Sequence, residues 1–192
     1  YEPASTPRGR SAYGSFQGFP LGREVTTFCD LSAAPTTIDF QCPNAYNFNF
    51  ATLIRYEHAF ADNHFKFGIA AEMPEVSATY GDNFKPMHQR VPDVPMYFQY
   101  AWGASRDSHI RASGVLRNPY MFKVSKDSNT SLLGWGVQLS GTIKVCKPVR
   151  LFMNGVYGEG ITPYIQDLTG SGLDFTPNPE DPSLVRMMPM WG

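Results

Sequence analysis

Basic side chains recur at even spacing in this 192-residue chain, and that spacing is its main chemical signal. Arg8 and Arg10 stand two apart, and Arg111 and Arg117, like Lys144 and Arg150, stand six apart. In an extended chain, even spacing puts side chains on one face. With Arg55 and Lys66, these residues give eight cations at positions read below as inward. The acids at such positions are fewer: Glu57, Glu72 and Glu24. The formal net charge is only −1, so sorting by face concentrates positive charge on one side. An Arg-lined aqueous passage attracts anions and offers carboxylates bidentate hydrogen bonds. In the alternative reading the same arginines pair with acids and merely hold a wall together. The inward amides Asn47, Asn49, Gln99, Gln138 and Asn154 would complete a polar lining.

Other chemistry finds little support. His58, His64, His88 and His109 lack the spacing of metal ligands, so no metal or other cofactor is expected. No Ser, His and acid converge on one face near a rim, which argues against an enzyme. Gly134-Trp135-Gly136 and Gly170-Ser171-Gly172 do not lead from strand to helix, as a phosphate loop must. A nucleic-acid partner is not expected either.

The cations depend on strands to position them. Tyr46–Glu57 alternates Tyr46, Phe48, Phe50, Thr52, Ile54 and Tyr56 against Asn47, Asn49, Ala51, Leu53, Arg55 and Glu57. Twelve residues with tyrosines at the ends resemble a strand with lipid on one side and water on the other. Similar alternation predicts strands over Arg8–Phe16, Leu21–Phe28, His64–Met73, Pro95–Gly103, Ser108–Arg117, Ser131–Val145 and Val149–Gly158. Connections alternate strictly between short and long, the long ones being Cys29–Asn44, Pro74–Val94, Asn118–Thr130 and Glu159–Arg186. Short turns at one end and long loops at the other mark a membrane barrel. Tyr46, Tyr56, Trp102, Trp135 and Tyr157 then read as anchors at the lipid interface.

Composition agrees. Aromatic residues make up 14% of the chain and charged residues 17%, with 17 Gly and 16 Pro, which favours turns and strands over helices. No apolar run reaches the eighteen residues of a membrane-spanning helix, a test that barrel strands escape. The expected fold is therefore all-β: an antiparallel up-and-down transmembrane β-barrel, with about eight strands visible. The chain starts at Tyr1 and stops at Met190-Trp191-Gly192 in what reads as another strand. It is expected to be an internal fragment, with residues 1–192 a partial barrel domain lacking an internal boundary.

Several runs carry a family resemblance. They are Ala12-Tyr13-Gly14, Thr27-Phe28-Cys29-Asp30, Ala34-Pro35-Thr36-Thr37-Ile38-Asp39-Phe40 and Pro43-Asn44, followed by Phe67–Pro74, Asn154–Gly158 and Gly160–Leu168. In this order they resemble the DcaP-like outer-membrane porins of Gram-negative bacteria, in their Bacteroidetes branch. The resemblance implies a barrel of about sixteen strands, embedded in outer-membrane lipid and assembled as a homotrimer. It also implies passive diffusion of small anionic solutes such as dicarboxylates. A non-channel barrel acting as a surface adhesin or structural antigen is the alternative.

The family's layout makes Cys29–Asn44 the loop that folds inward to narrow the pore. Asp30 and Asp39 would then face the arginines across a constriction; otherwise they cap turns in a surface loop. Cys29 and Cys42 flank this loop on one side of the membrane. A disulfide between them would close about fourteen residues and stabilise by about 3 kcal/mol, and two thiols are the other possibility.

Overall fold

Strict alternation of facing is realised as one long meander in the computed structural model, which describes residues 11–37, 44–181 and 183–192. Nine strands follow one another antiparallel: β1 (Ala12–Phe16), β2 (Phe19–Val25), β3 (Phe50–Phe60), β4 (Phe65–Glu72), β6 (Val94–Trp102), β7 (Ser108–Arg117), β10 (Gly134–Cys146), β11 (Val149–Glu159) and β14 (Pro189–Trp191). The missing numbers belong to short strands in the long loops. β5 (Phe84–Pro86), β8 (Tyr120–Lys123) and β9 (Ser128–Ser131) form a three-stranded sheet, and β12 (Phe175–Pro177) pairs with β13 (Val185–Met187). These segments lie within the expected long loops, because three or four residues carry too little alternation to predict a strand.

Turns at one end are tight. β1 and β2 join through Gln17 and Gly18, both at positive φ, the backbone that a two-residue hairpin requires. Ala61, Asp62 and Asn63 are likewise at positive φ between β3 and β4. The long connections all emerge at the opposite end.

The two faces of the sheet are inverted relative to a water-soluble domain. Leu21, Ile54, Phe67, Met96, Phe98, Ile110, Leu116, Val137, Leu139 and Leu151 are all outward, at 36–62% exposure. Half-exposure of ten such side chains to water forgoes roughly 1 kcal/mol each, about the size of a whole domain's net stability. This face therefore requires an apolar surrounding. Phe19, Tyr56, His58, Phe60, Phe65, Phe98, Tyr100 and Trp102 form a chain of ring contacts across β2, β3, β4 and β6 near the tight turns. At the long-loop end, Trp135 and Tyr157 meet edge to face with ring centroids 5.6 Å apart. On β10, Trp135 and Val145 are ten residues apart, so at about 3.3 Å per residue and a barrel-like tilt of about 40° the two zones lie roughly 25 Å apart in height.

The opposite face is packed by returning loops. Phe28, Ile161, Tyr164 and Ile165 meet Val115, Val156 and Met190 of the wall in one buried cluster. A second cluster, Phe84, Met121 and Phe175, holds the small loop sheets together.

Several strand boundaries differ from expectation, β3 running on to Phe60 and β10 beginning only at Gly134, and two of the differences matter. β2 stops at Val25 instead of Phe28, and β3 starts at Phe50 instead of Tyr46. Residues 46–49 are thus not part of the sheet. Tyr46, expected as an outward lipid anchor, is 2% exposed and donates its hydroxyl to the Asp30 carbonyl at 2.5 Å. Period-two facing holds only where a ladder enforces it.

Candidate functional site: the inner face and the loops folded onto it

Inner-face side chains of β3, β4, β6, β7, β10 and β11 fall into three groups according to what covers them. The first clasps the segment after β2. Asp30 is fully buried: its Oδ2 accepts from Ser140 Oγ at 2.8 Å and contacts His109 Nε2 at 2.9 Å, while Oδ1 accepts from the Ser32 backbone at 3.1 Å. Thr142 donates to the Ser32 carbonyl. Arg111 donates from Nη2 to the Thr27 carbonyl at 2.5 Å, and its guanidinium lies 3.6 Å from the centre of the Tyr97 ring. Tyr97 in turn covers Gly68, where a Cβ would lie 2.2 Å from its Cε1. On β4, Glu72 accepts from Thr26 Oγ1 and from the Thr27 backbone, both at 2.7 Å. Residues 26–33 are thereby tied to three wall strands. Burial pushes the Asp30 carboxyl up, but the His109 bond, the Arg111 and His109 charges and the Ser140 hydroxyl outweigh it and hold it below the usual carboxylate range.

The second group centres on Arg117, whose side chain is completely buried. Nε donates to Asp93 Oδ2 at 2.9 Å and Nη1 to Asp174 Oδ1 at 3.0 Å; the carbonyls of Gly160 and Glu75 accept from Nη1 and Nη2. Tyr164 donates to Asp93 at 2.9 Å, and the backbones of Ser77 and Thr162 donate to Asp174 at 2.9 and 3.0 Å. One arginine thus ties two long loops to β7. Burial raises both Asp93 and Asp174, and the nearby arginine only partly offsets it. Gly136 and Gly158 make room here: a Cβ on Gly136 would stand 2.9 Å from Ile161.

The third group stays open. Glu57, Lys66 and Arg150 are exposed, while Gln99 and Asn154 are half-buried. Arg55 pairs with Glu24 and lies 3.8 Å from Glu57, which also accepts from Tyr97 at 2.6 Å. Lys144 pairs with Asp107 in the turn before β7. Lys66 and Arg150 form no ion pair among the described residues.

Measured against the sequence-derived lining, these positions separate. Arg111, Arg117 and Glu72 face inward but are sealed beneath loops, so solute in an open lumen would not meet their charged ends. Asn47 is fully buried and bridges by its backbone to Ile165, and Asn49 bonds to the Phe50 backbone. Gln138 is buried against Asn154. Arg8, Arg10, Asp39 and Cys42 lie outside the described residues, and with them the arginine pair of the first strand, the second loop acid and the disulfide. Cys29 is buried. His109, Ser140, Asp93, Asp174 and Tyr164 were not among the expected site residues. His109 and Ser140 share facing with Arg111 and Gln138 and were legible in that sense; Asp93, Asp174 and Tyr164 sit in long loops without any period.

No helix among the described residues is long and apolar enough to cross a membrane. No protein-family model matches the chain, and no curated protein does. Among solved structures it is similar to the outer membrane channel DcaP of Acinetobacter baumannii, with a TM-score of 0.73 and 19% identity. The fold is that of an antiparallel up-and-down transmembrane β-barrel. The match covers 94% of this chain and 48% of that one, so the chain spans about half the length of the channel.

Proposed function

We propose that this chain forms part of the wall of an outer-membrane channel of a Gram-negative bacterium that passes small anionic solutes, dicarboxylates among them, by passive diffusion. The observation that carries this reading is the division of charge on the inner face. Arg55, Arg117 and Lys144 are matched by acids, and Arg111 by the charge of Asp30. Lys66 and Arg150 remain exposed and form no ion pair among the described residues, although Asp107 feels the charge of Arg150; beside the one exposed acid Glu57, they leave the accessible charge positive on balance. A cationic surface between low-dielectric walls raises the local anion concentration. Residues 26–37 narrow the passage in this reading, held by Asp30 and Glu72. The proposed assembly is a homotrimer in lipid, built from barrels of about sixteen strands.

Reversal potentials in planar bilayers under a salt gradient test the proposal. Lys66→Glu with Arg150→Glu should move the protein from anion preference toward cation preference; unchanged selectivity with intact conductance would overturn the anionic assignment. A second reading, a non-conducting surface barrel, draws on the apolar cluster of Phe28, Ile161, Tyr164 and Ile165, which fills part of the interior. Absence of conductance in a correctly inserted barrel would favour it.

A further inference from the structure

The outward face carries one site that the channel reading does not use. Along β2, β3 and β4, Leu21, Ile54 and Ala71 line up in one row, and Arg23, Thr52 and Met73 in the next row toward the long loops. Residues 89–92 stand against these strands. Between them runs a groove of about 360 Å³ with Leu21, Ile54, Ala71, Met73 and Val91 among its mostly apolar lining. Leu21 is 62% exposed and Met73 69%.

The loop wall of this groove is fixed. The Gln89 side chain donates to the Tyr120 carbonyl at 3.0 Å and accepts from the Tyr120 backbone at 2.8 Å. Glu72 and Asp93 exchange backbone hydrogen bonds of 2.9 and 3.0 Å. Arg90 lines the groove with its guanidinium stacked 4.4 Å from the Tyr120 ring centre, which fixes the charge while leaving its N–H edge available. Arg23 stands one row above the floor, exposed, on the same face as Leu21. Neither arginine forms an ion pair among the described residues. Unmatched arginines on a face that otherwise meets lipid are costly in the hydrocarbon region and favourable at a phosphate-bearing surface.

We propose that this groove seats an acyl chain of a diphosphorylated glycolipid of the lipid A type, with Arg90 and Arg23 against its phosphates. The inference rests on the outer-membrane reading, in which the long-loop end faces the outer leaflet. Arg90 on the loop wall, and Arg23 in the adjoining cavity one row beyond the floor, match two phosphates above acyl chains, and Arg forks suit phosphate oxygens. A lipid with one phosphate leaves one arginine unmatched.

Native mass spectrometry of the protein in detergent, with added lipid A and separately with phosphatidylglycerol, tests the assignment. Lipid A should be retained in preference to phosphatidylglycerol. Arg23→Glu with Arg90→Glu should lower lipid A retention about tenfold or more, the scale of one lost charge-assisted contact, and lower phosphatidylglycerol retention by less, so that the preference between the lipids is lost. Equal retention of lipid A by the variant, or no preference between the lipids in the unsubstituted protein, overturns the proposal. A change of oligomeric state in the variant without loss of lipid A would assign the groove to contacts between copies and overturn it equally. Planar-bilayer conductance of the same preparations separates the two levels: a conducting barrel indifferent to lipid A refutes this site alone, whereas failure to insert refutes the outer-membrane reading.

Discussion

Replacing Arg117 by Ala should free both loops that it ties to β7. The arginine is wholly buried, and its removal strands two buried carboxylates, Asp93 and Asp174, together with the carbonyls of Gly160 and Glu75. Deleting one partner of a buried ion pair costs about 3–5 kcal/mol, chiefly because the remaining charge is left uncompensated. Part of that is softened here, since Tyr164, Ser77 and Thr162 still donate to the two acids. At about 1.4 kcal/mol per factor of ten, opening of the loops should become roughly one hundred to a few thousand times more frequent. Hydrogen exchange of the Ser77 and Thr162 amides, both bonded to Asp174, reads that opening directly.

The penalty should also depend on pH in one direction. Both aspartates already have raised folded-state values from burial, and losing the cation raises them further. An acid with a raised folded value adds stability below its unfolded value, near pH 4, and loses it as pH rises through the folded value. The Arg117→Ala defect should therefore be largest at neutral pH and shrink in acid. Arg117→Met combined with Asp93→Asn and Asp174→Asn, which removes the cation together with both acids it pairs, should recover most of the lost protection. A neutral-pH increase in exchange below about tenfold, or a defect that grows in acid, would refute the latch.

Other expectations concern the first loop and the wall. Because Asp30 lies below the usual range, its contribution is present above about pH 4 and is lost as pH falls through its folded value, so acid should expose residues 26–33 to protease. Asp30→Asn should produce the same exposure at neutral pH. Gly136→Leu should displace Ile161 from the wall at a cost of about 1–3 kcal/mol, seen as faster exchange across residues 160–165 while the strands stay protected. Charge reversal at Arg111 should change protease sensitivity of residues 26–33 more than ion selectivity, because its guanidinium is bonded beneath that segment; a selectivity shift as large as that of the Lys66 and Arg150 pair would contradict this.

The wall was legible in the sequence because a strand imposes a period. Ile54, Tyr56, Phe98, Ile110, Val137, Leu139 and Tyr157 point outward as their parity required, and Arg55, Lys66, Arg111 and Lys144 point inward. Parity assigns a face but not a depth. Arg111 and Lys66 share a facing, yet one lies under a loop and the other is open, and that distinction arises from Thr27, which lies 84 residues before Arg111.

Loop chemistry was hidden for a different reason. Asp93, Asp174 and Tyr164 lie in segments with no repeat, and their roles appear only when residues 74–94 and 159–186 converge on Arg117. The excess of inward cations had two readings, solute attraction or wall pairing. The structure divides it: Arg117 and Arg55 bind acids, whereas Lys66 and Arg150 stand open. A buried arginine with two acids gains little net stability over an apolar replacement, but it penalises any arrangement that leaves one member alone. Such a pairing suits loops that must fold inward to one position, since a misplaced loop leaves a charge unmatched. Holding the loops thus uses the sealed cations, and in the channel we propose meeting solute falls to the open ones, so selectivity and loop position should be separable by mutation.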